Sequence, residues 1–170
     1  DFYHRAPGIL HLVAHSHLDL VYVWPYRESV RKNVRTHLIA ERMMQQYPHY
    51  VFTQSQAKLF HDLKIHHPEV FAQVKRRVEE GRLEPVGDMW VEADGHIPSG
   101  ESWIRHILYG KQFFRNELGC SSAICWMSDI FGVPASIPQI LCLCGYEVFY
   151  TAKQSVWNDT NEFPHHTFLW

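Results

Sequence analysis

The chain has 170 residues, 46% hydrophobic and 20% charged, which suits one globular domain with a sizeable core. A formal net charge of −2 with no basic run argues against a nucleic-acid partner. The longest wholly apolar stretches are only a few residues, too short to span a membrane, and Asp1-Phe2-Tyr3-His4-Arg5 does not have the pattern of a signal peptide.

Taken in order, the chain opens on an apolar run, Ile9-Leu10-His11-Leu12-Val13-Ala14, that reads as a buried strand running out into His15, His17 and Asp19. Residues 25–47 predict a helix, with Val30, Val34, Leu38, Ile39 and Met43 as its apolar stripe. Residues 50–55 form a short β-rich strand ending in polar residues. A helix begins near Gln56 and restarts at His67-Pro68, where proline suits a first helical position; Val70, Phe71, Val74 and Val78 line it, and Gly81 caps it. A third strand spans residues 83–91, with Pro85 as a weakness, and leads into an acidic loop, Glu92-Ala93-Asp94-Gly95. Ser99 offers an N-cap for a helix carrying Trp103, Ile107, Phe114 and Leu118 up to Gly119. The fourth strand, from Ile124, ends on Asp129; a short helix from Pro134 to Cys144 and a fifth strand, residues 147–151, follow.

Strands alternating with helices imply βαβ crossovers, an α/β fold and a parallel sheet, which places chemistry at the carboxyl ends of the strands. A closed (β/α) barrel takes about 250 residues. Because residues 166–170 form a further apolar, strand-like run, residues 1–170 read as one domain, the first part of a barrel or similar sheet. Cys120, Cys125, Cys142 and Cys144 lack both disulfide density and paired CxxC spacing, so packed, reduced thiols are expected, favouring a reducing compartment.

His17 and Asp19 are two apart, so on an extended strand they share a face and can offer an imidazole and a carboxylate to one divalent ion, zinc among them. His15 shares that parity and competes as a ligand. Hydrogen bonding between His17 and Asp19 to cap the next helix is the plainer reading of the pair. Asp129 can join them from a neighbouring strand end, or simply favour the helix behind it. Asp94 and Glu92 are candidates for a second acid or for binding sugar hydroxyls, and Trp90, Trp126, Tyr22 and Trp24 for stacking on a sugar; aromatics at strand ends are more often core. His165 and His166 are adjacent, so a strand sends them to opposite faces.

Six stretches in register resemble the catalytic N-terminal domain of glycoside hydrolase family 38 α-mannosidases, particularly their cytosolic and bacterial branch. They are His15-Ser16-His17-Leu18-Asp19 with Trp24-Pro25-Tyr26-Arg27-Glu28; Asp88-Met89-Trp90-Val91-Glu92-Ala93-Asp94; Pro98-Ser99-Gly100-Glu101-Ser102; Asp129-Ile130-Phe131-Gly132; Ile137-Pro138-Gln139-Ile140-Leu141; and Trp157-Asn158-Asp159 through to Phe168. The resemblance implies a seven-stranded (β/α) barrel-like domain, of which these residues are the first five or so βα units, and an active-site zinc or other divalent ion. It implies His17, Asp19 and Asp129 as metal ligands and Asp129 also as the nucleophile that forms a covalent mannosyl-enzyme. Tyr22 stands where the family usually has a tryptophan that stacks on the sugar, and Tyr22, Asp94 and Trp90 are the expected substrate contacts. The general acid and a fourth ligand are expected beyond Trp170. The implied protein is a cytoplasmic hydrolase of mannose-containing oligosaccharides or glycosides, with a homo-oligomer left open. Around Asp129 the family commonly has Leu-Pro before and Gly-Tyr-Ser after, against Met127-Ser128 and Gly132-Val133-Pro134 here. Two other classes compete: a metal-dependent deacetylase or amidohydrolase using His15, His17 and a metal-bound water, and a non-catalytic carbohydrate-binding domain.

Overall fold

The computed structural model describes residues 8–153; the expected run at 166–170, the pair His165-His166 and the stretch from Trp157 to Phe168 lie outside them. In chain order the elements are β1 (Ala14–His15), α1 (Tyr26–Gln46), β2 (Phe52–Gln54), α2 (Ala57–His66), α3 (Pro68–Glu79), β3 (Leu83–Pro85), α4 (Gly100–Phe113), β4 (Ile124–Trp126), α5 (Ile137–Leu143) and β5 (Val148–Tyr150). A π-helical turn, Phe114–Leu118, prolongs α4 and closes on Gly119 in the left-handed conformation, φ +67°. Every ladder is parallel, as alternation with helices requires. Among the described residues the strands form two sheets, β1-β2-β3 and β4-β5, instead of the single sheet expected.

The reason lies after β3, which pairs only as far as Pro85 and does not run on to residue 91. Proline has no N–H to give a further partner. The backbone then turns through Gly87 (φ +89°) and Asp88 (φ +49°), conformations outside the strand region. Gly87 lies so close to β4 that a Cβ there would sit 3.1 Å from Trp126 Cβ. The chain thus passes against β4 by contact and without a ladder.

Two apolar clusters flank the strands. Phe52, Phe60, Leu63, Phe71 and Phe114 belong to one, between β2 and the first helices; Met89, Trp103, Cys125, Met127 and Ile137 belong to the other, beneath β4. The helix stripes of α3 and α4 behave as expected: Val70, Phe71, Val74, Trp103, Ile107, Phe114 and Leu118 are buried, while Val78 is only half-buried.

Two expectations change. The run Ile9, Leu10, Leu12 and Val13 is exposed, because β2 starts at Phe52 and offers partners only to Ala14 and His15. In α1 the buried face is Ser29, Asn33, His37, Ala40, Glu41 and Met44, whereas Leu38 and Ile39 face outward. Hydrogen bonding turns that helix: Asn33 donates to the Leu59 carbonyl at 2.8 Å, and Glu41 accepts two bonds of 2.8 Å from Arg77 on α3. All four cysteines are free, but only Cys125 is buried and Cys142 is exposed. No helix among the described residues is long and apolar enough to cross a membrane.

Gly110 of α4 presses on the residue 88–89 backbone, where a Cβ would fall 2.1 Å from the Asp88 carbonyl oxygen. Gly110→Ala must push backbone aside and is expected to destabilise the domain by about 1–3 kcal/mol, read as a lower denaturant midpoint at unchanged slope.

Candidate metal and catalytic site

The site is built on the end of β2. Gln54, Ser55 and Gln56 are nearly inaccessible to solvent, and each spends its side chain on a neighbouring strand end. Gln54 donates to the Ser16 carbonyl at 3.1 Å and Gln56 to the Leu18 carbonyl at 3.0 Å, so the segment after β1 is held from its backbone. The Gln56 side-chain oxygen accepts from the Glu92 N–H at 3.2 Å, and Ser55 Oγ donates to Glu92 Oε1 at 2.7 Å. The other side of the segment is held by Ser29 of α1, whose hydroxyl contacts the Asp19 and Leu20 carbonyls.

These ties aim His17, Asp19 and Asp129 at one point. Each offers a ligand-type atom, and the three atoms lie within 4.8 Å of one another. His17 Nε2 is 3.1 Å from Asp19 Oδ1 and 3.4 Å from Asp129 Oδ2. Its other nitrogen, Nδ1, is 3.2 Å from Oε2 of Glu92, whose side chain is 2% exposed. Lys153 approaches the remaining Asp129 oxygen at 2.7 Å. The convergence does not come from strand parity, because β1 ends at His15; the side-chain amides of Gln54 and Gln56 hold the His17–Asp19 segment by the Ser16 and Leu18 carbonyls, and Glu92 Oε2 accepts from the Asp129 N–H at 3.4 Å.

His15 goes elsewhere. Its Nδ1 lies 2.9 Å from the Thr53 carbonyl, and its Nε2 accepts from Trp126 Nε1 at 3.3 Å, which assigns the proton to Nδ1. Both ring nitrogens are engaged, and burial lowers the pKa below the usual histidine value despite the bond to Thr53. Trp90 packs its ring against His61 and Phe113, at centroid distances of 5.4 and 6.2 Å. Asp94 is exposed and folds onto its own loop, accepting from the N–H groups of His96 and Ile97 at 2.8 and 2.9 Å, bonds that depress its pKa. Tyr22 is 71% exposed and meets Trp24 edge to face at 5.8 Å, while Trp24 donates to Ser29 Oγ at 2.9 Å. The structure therefore brings His17, Asp19 and Asp129 together and gives Trp90 and Asp94 local partners of their own.

Glu92 and Lys153 join the cluster without having been singled out as its members. Glu92 stood in the acidic loop, and only the fold shows it turned inward. Lys153 lies 24 residues beyond Asp129, a separation without a local signal.

The electrostatics centre on His17. Burial alone would lower its pKa, but the hydrogen bond and charge of Glu92, with Asp19 and Asp129, outweigh burial and raise it to about 9. In the metal-free protein this raised value stabilises the fold below the unfolded-state pKa of about 6.5, and the contribution is lost as pH rises through 9. Metal-free His17→Gln should therefore lose less stability than the wild type between pH 6 and pH 9, measured by urea midpoints at the two pH values.

The chain is similar to known proteins over nearly its whole length. Residues 7–170 match the model of the glycosyl hydrolases family 38 N-terminal domain. The chain is 40% identical over 161 residues to alpha-mannosidase 2C1 of Homo sapiens, covering 95% of this chain and 15% of that protein. It is 41% identical over 158 residues to alpha-mannosidase G of Dictyostelium discoideum, covering 93% of this chain and 14% of that protein. Among solved structures it resembles an alpha-mannosidase from Enterococcus faecalis V583, with a TM-score of 0.74 at 25% identity over 82% of this chain and 16% of that one. The chain spans about 15% of the length of the curated relatives it matches. With a family model covering nearly its whole length and relatives at 40% identity, the chain belongs to glycosyl hydrolases family 38, within that family's N-terminal domain.

Proposed function

We propose that the protein is a retaining α-mannosidase in which His17, Asp19 and Asp129 hold one divalent ion, zinc before others, and Asp129 is the nucleophile. The observation that carries the reading is the convergence of these three side chains from two separate strand ends. The donors fit zinc in kind, being one imidazole and two carboxylates. They also fit in spacing: His17 Nε2 stands 3.1 and 3.4 Å from the two carboxylates, and the three donor atoms lie within 4.8 Å of one another, close enough to share one ion. Held by these three residues, the ion would supply Lewis-acid polarisation of the bound sugar.

The nucleophile comes from this chain. Asp129 attacks C1 through a carboxylate oxygen, the C1–O bond to the leaving group breaks, and the leaving oxygen takes a proton from a carboxylic acid. Water then attacks C1, gives its proton back to that acid, and releases mannose and the Asp129 carboxylate, so that configuration is retained overall. Lys153 keeps a cation 2.7 Å from Asp129, which suits a group that must act as an anion. Asp94 is committed to its loop and Glu92 to His17 and Ser55, so neither suits the proton-donating role; for the acid and a fourth ligand the family resemblance implies residues further along the protein. The substrate is a mannose-containing oligosaccharide or glycoside, Tyr22 offers it a stacking face, and the free thiols suit a cytoplasmic setting. The five strands are the first units of a seven-stranded (β/α) barrel-like domain.

A fluorinated mannosyl inhibitor that traps covalent intermediates should label Asp129 in the full-length zinc-loaded protein, located by peptide mass spectrometry. Hydrolysis by a metal-bound water would leave no adduct, and that result would sink the proposal. Asp129→Asn should lower kcat on an aryl α-mannoside by about 10⁴-fold or more. Tyr22→Ala should raise KM while leaving most of kcat, since a stacking surface contributes to binding in the ground state as well as in the transition state.

A further inference from the structure

Glu92 is a buried carboxylate for which the mechanism above has no use. Its contacts are unusual in where they lead. Oε2 faces His17 Nδ1 at 3.2 Å, the Asp129 N–H at 3.4 Å and Ser128 Oγ at 3.5 Å, while Oε1 is held by Ser55 Oγ at 2.7 Å. Its own N–H is fixed by the Gln56 side chain at 3.2 Å. A single side chain thus touches the imidazole that follows β1 and the backbone that follows β4, while it is anchored to the end of β2. With 2% of its side chain exposed, it has no open path to a leaving group and is poorly placed as a proton donor.

We infer that Glu92 is the positioning residue of the site, the carboxylate that orients His17 so that Nε2 is the nitrogen offered to the metal, and that holds the Asp129 backbone in register with it. The inference rests on the metal reading above. A histidine that binds an ion through Nε2 keeps its proton on Nδ1, and here that nitrogen is buried, so its proton needs an acceptor from the protein. Glu92 Oε2 is there, and Ser55 and Gln56 prevent it from turning away. Carboxylates behind a ligating imidazole fix its tautomer and ring angle and make the other nitrogen a better donor. The bond to the Asp129 N–H gives the same carboxylate a hold on the second strand end, so loss of Glu92 loosens two ligands together.

The test is zinc binding by the full-length protein, measured as a dissociation constant by chelator competition, alongside the thermal midpoint of the metal-free form. The wild type should take up one zinc. Glu92→Gln, which keeps the shape and removes the charge, should bind zinc about 10–100-fold more weakly, and Glu92→Asp should recover part of that loss. Nitrogen-15 spectra of zinc-loaded wild type should show the His17 proton on Nδ1. This last measurement needs no variant and stands even if Glu92→Gln does not fold. Wild-type zinc affinity in Glu92→Gln, or a His17 proton on Nε2 in the loaded wild type, would overturn the role. A lowered thermal midpoint with unchanged zinc affinity would reduce Glu92 to a packing residue and overturn it equally. If the wild type itself binds no divalent ion, the metal reading falls first and takes this inference with it, an outcome separate from failure at Glu92 alone.

Discussion

The structure depends on the buried polar end of β2. Gln54, Ser55 and Gln56 carry amides and a hydroxyl into a place without solvent, where each must find a partner or cost the fold roughly 1–3 kcal/mol. The partners are the Ser16 and Leu18 carbonyls, the Glu92 carboxylate and the Glu92 N–H. Gln56 accepts a left-handed backbone, φ +67°, to make two of these bonds. The same turn starts α2, whose first N–H groups donate to the Met89 and Trp90 carbonyls at 2.9 Å. The free donors of a helix start are therefore what hold the chain leaving β3, and no separate side-chain cap is used. Satisfying this group of atoms fixes the positions of the segments that follow β1 and β3.

Charge is arranged around that frame with little slack. Three carboxylates, Asp19, Asp129 and Glu92, gather on one imidazole, and Lys153 is the described cation set against Asp129. Carboxylates brought together repel, and a nearby positive charge relieves them. In the absence of an ion, a protonated His17 plays that part. The inner carboxylate, Glu92, is nearly inaccessible and hydrogen-bonded, whereas Asp19 and Asp129 are partly open, with side chains 40% and 26% exposed. Burial thus falls off from Glu92 toward the two carboxylates that open to solvent.

Away from the site, a second buried acid shows how differently the same residue type can be used. Asp88 is fully buried behind β4, accepts from the Ser122 N–H at 2.8 Å and meets Lys111 at 3.3 Å. Burial raises its pKa, against the pull of Ser122 and Lys111. Next to it, Tyr146 donates to the Gly87 carbonyl at 2.8 Å, and the backbone oxygen of Asp88 lies against Gly110. These contacts secure the irregular passage from β3 to the loop that carries Glu92, so they serve the site through the backbone.

Much of this was legible in the sequence. Alternating strands and helices, the glycine and proline punctuation, and the stripes of α3 and α4 are local patterns, and a parallel α/β fold with Asp129 beyond a strand end follows from them. The stretches that carry the family resemblance name His17, Asp19 and Asp129. Other features were decided by tertiary structure alone. The apolar stripe of α1 pointed to Leu38 and Ile39, but Asn33 and Glu41 had specific partners in α2 and α3, and bonds in a buried setting outweigh the exposure of two aliphatic chains. For Trp90 and Asp94 the fold adds partners that no local pattern shows: neighbours in α2 and α4 pack on the ring, and the loop N–H groups hold the carboxylate. Glu92 reads locally as a loop acid, and only the closure of three strand ends around it makes it central. Periodicity and spacing report what one segment can do by itself, so the sequence determined the elements and the ligand types. Which side chain turns inward depends on donors and acceptors far away in the chain, 111 residues in the bond between Trp126 and His15, and that was for the fold to decide.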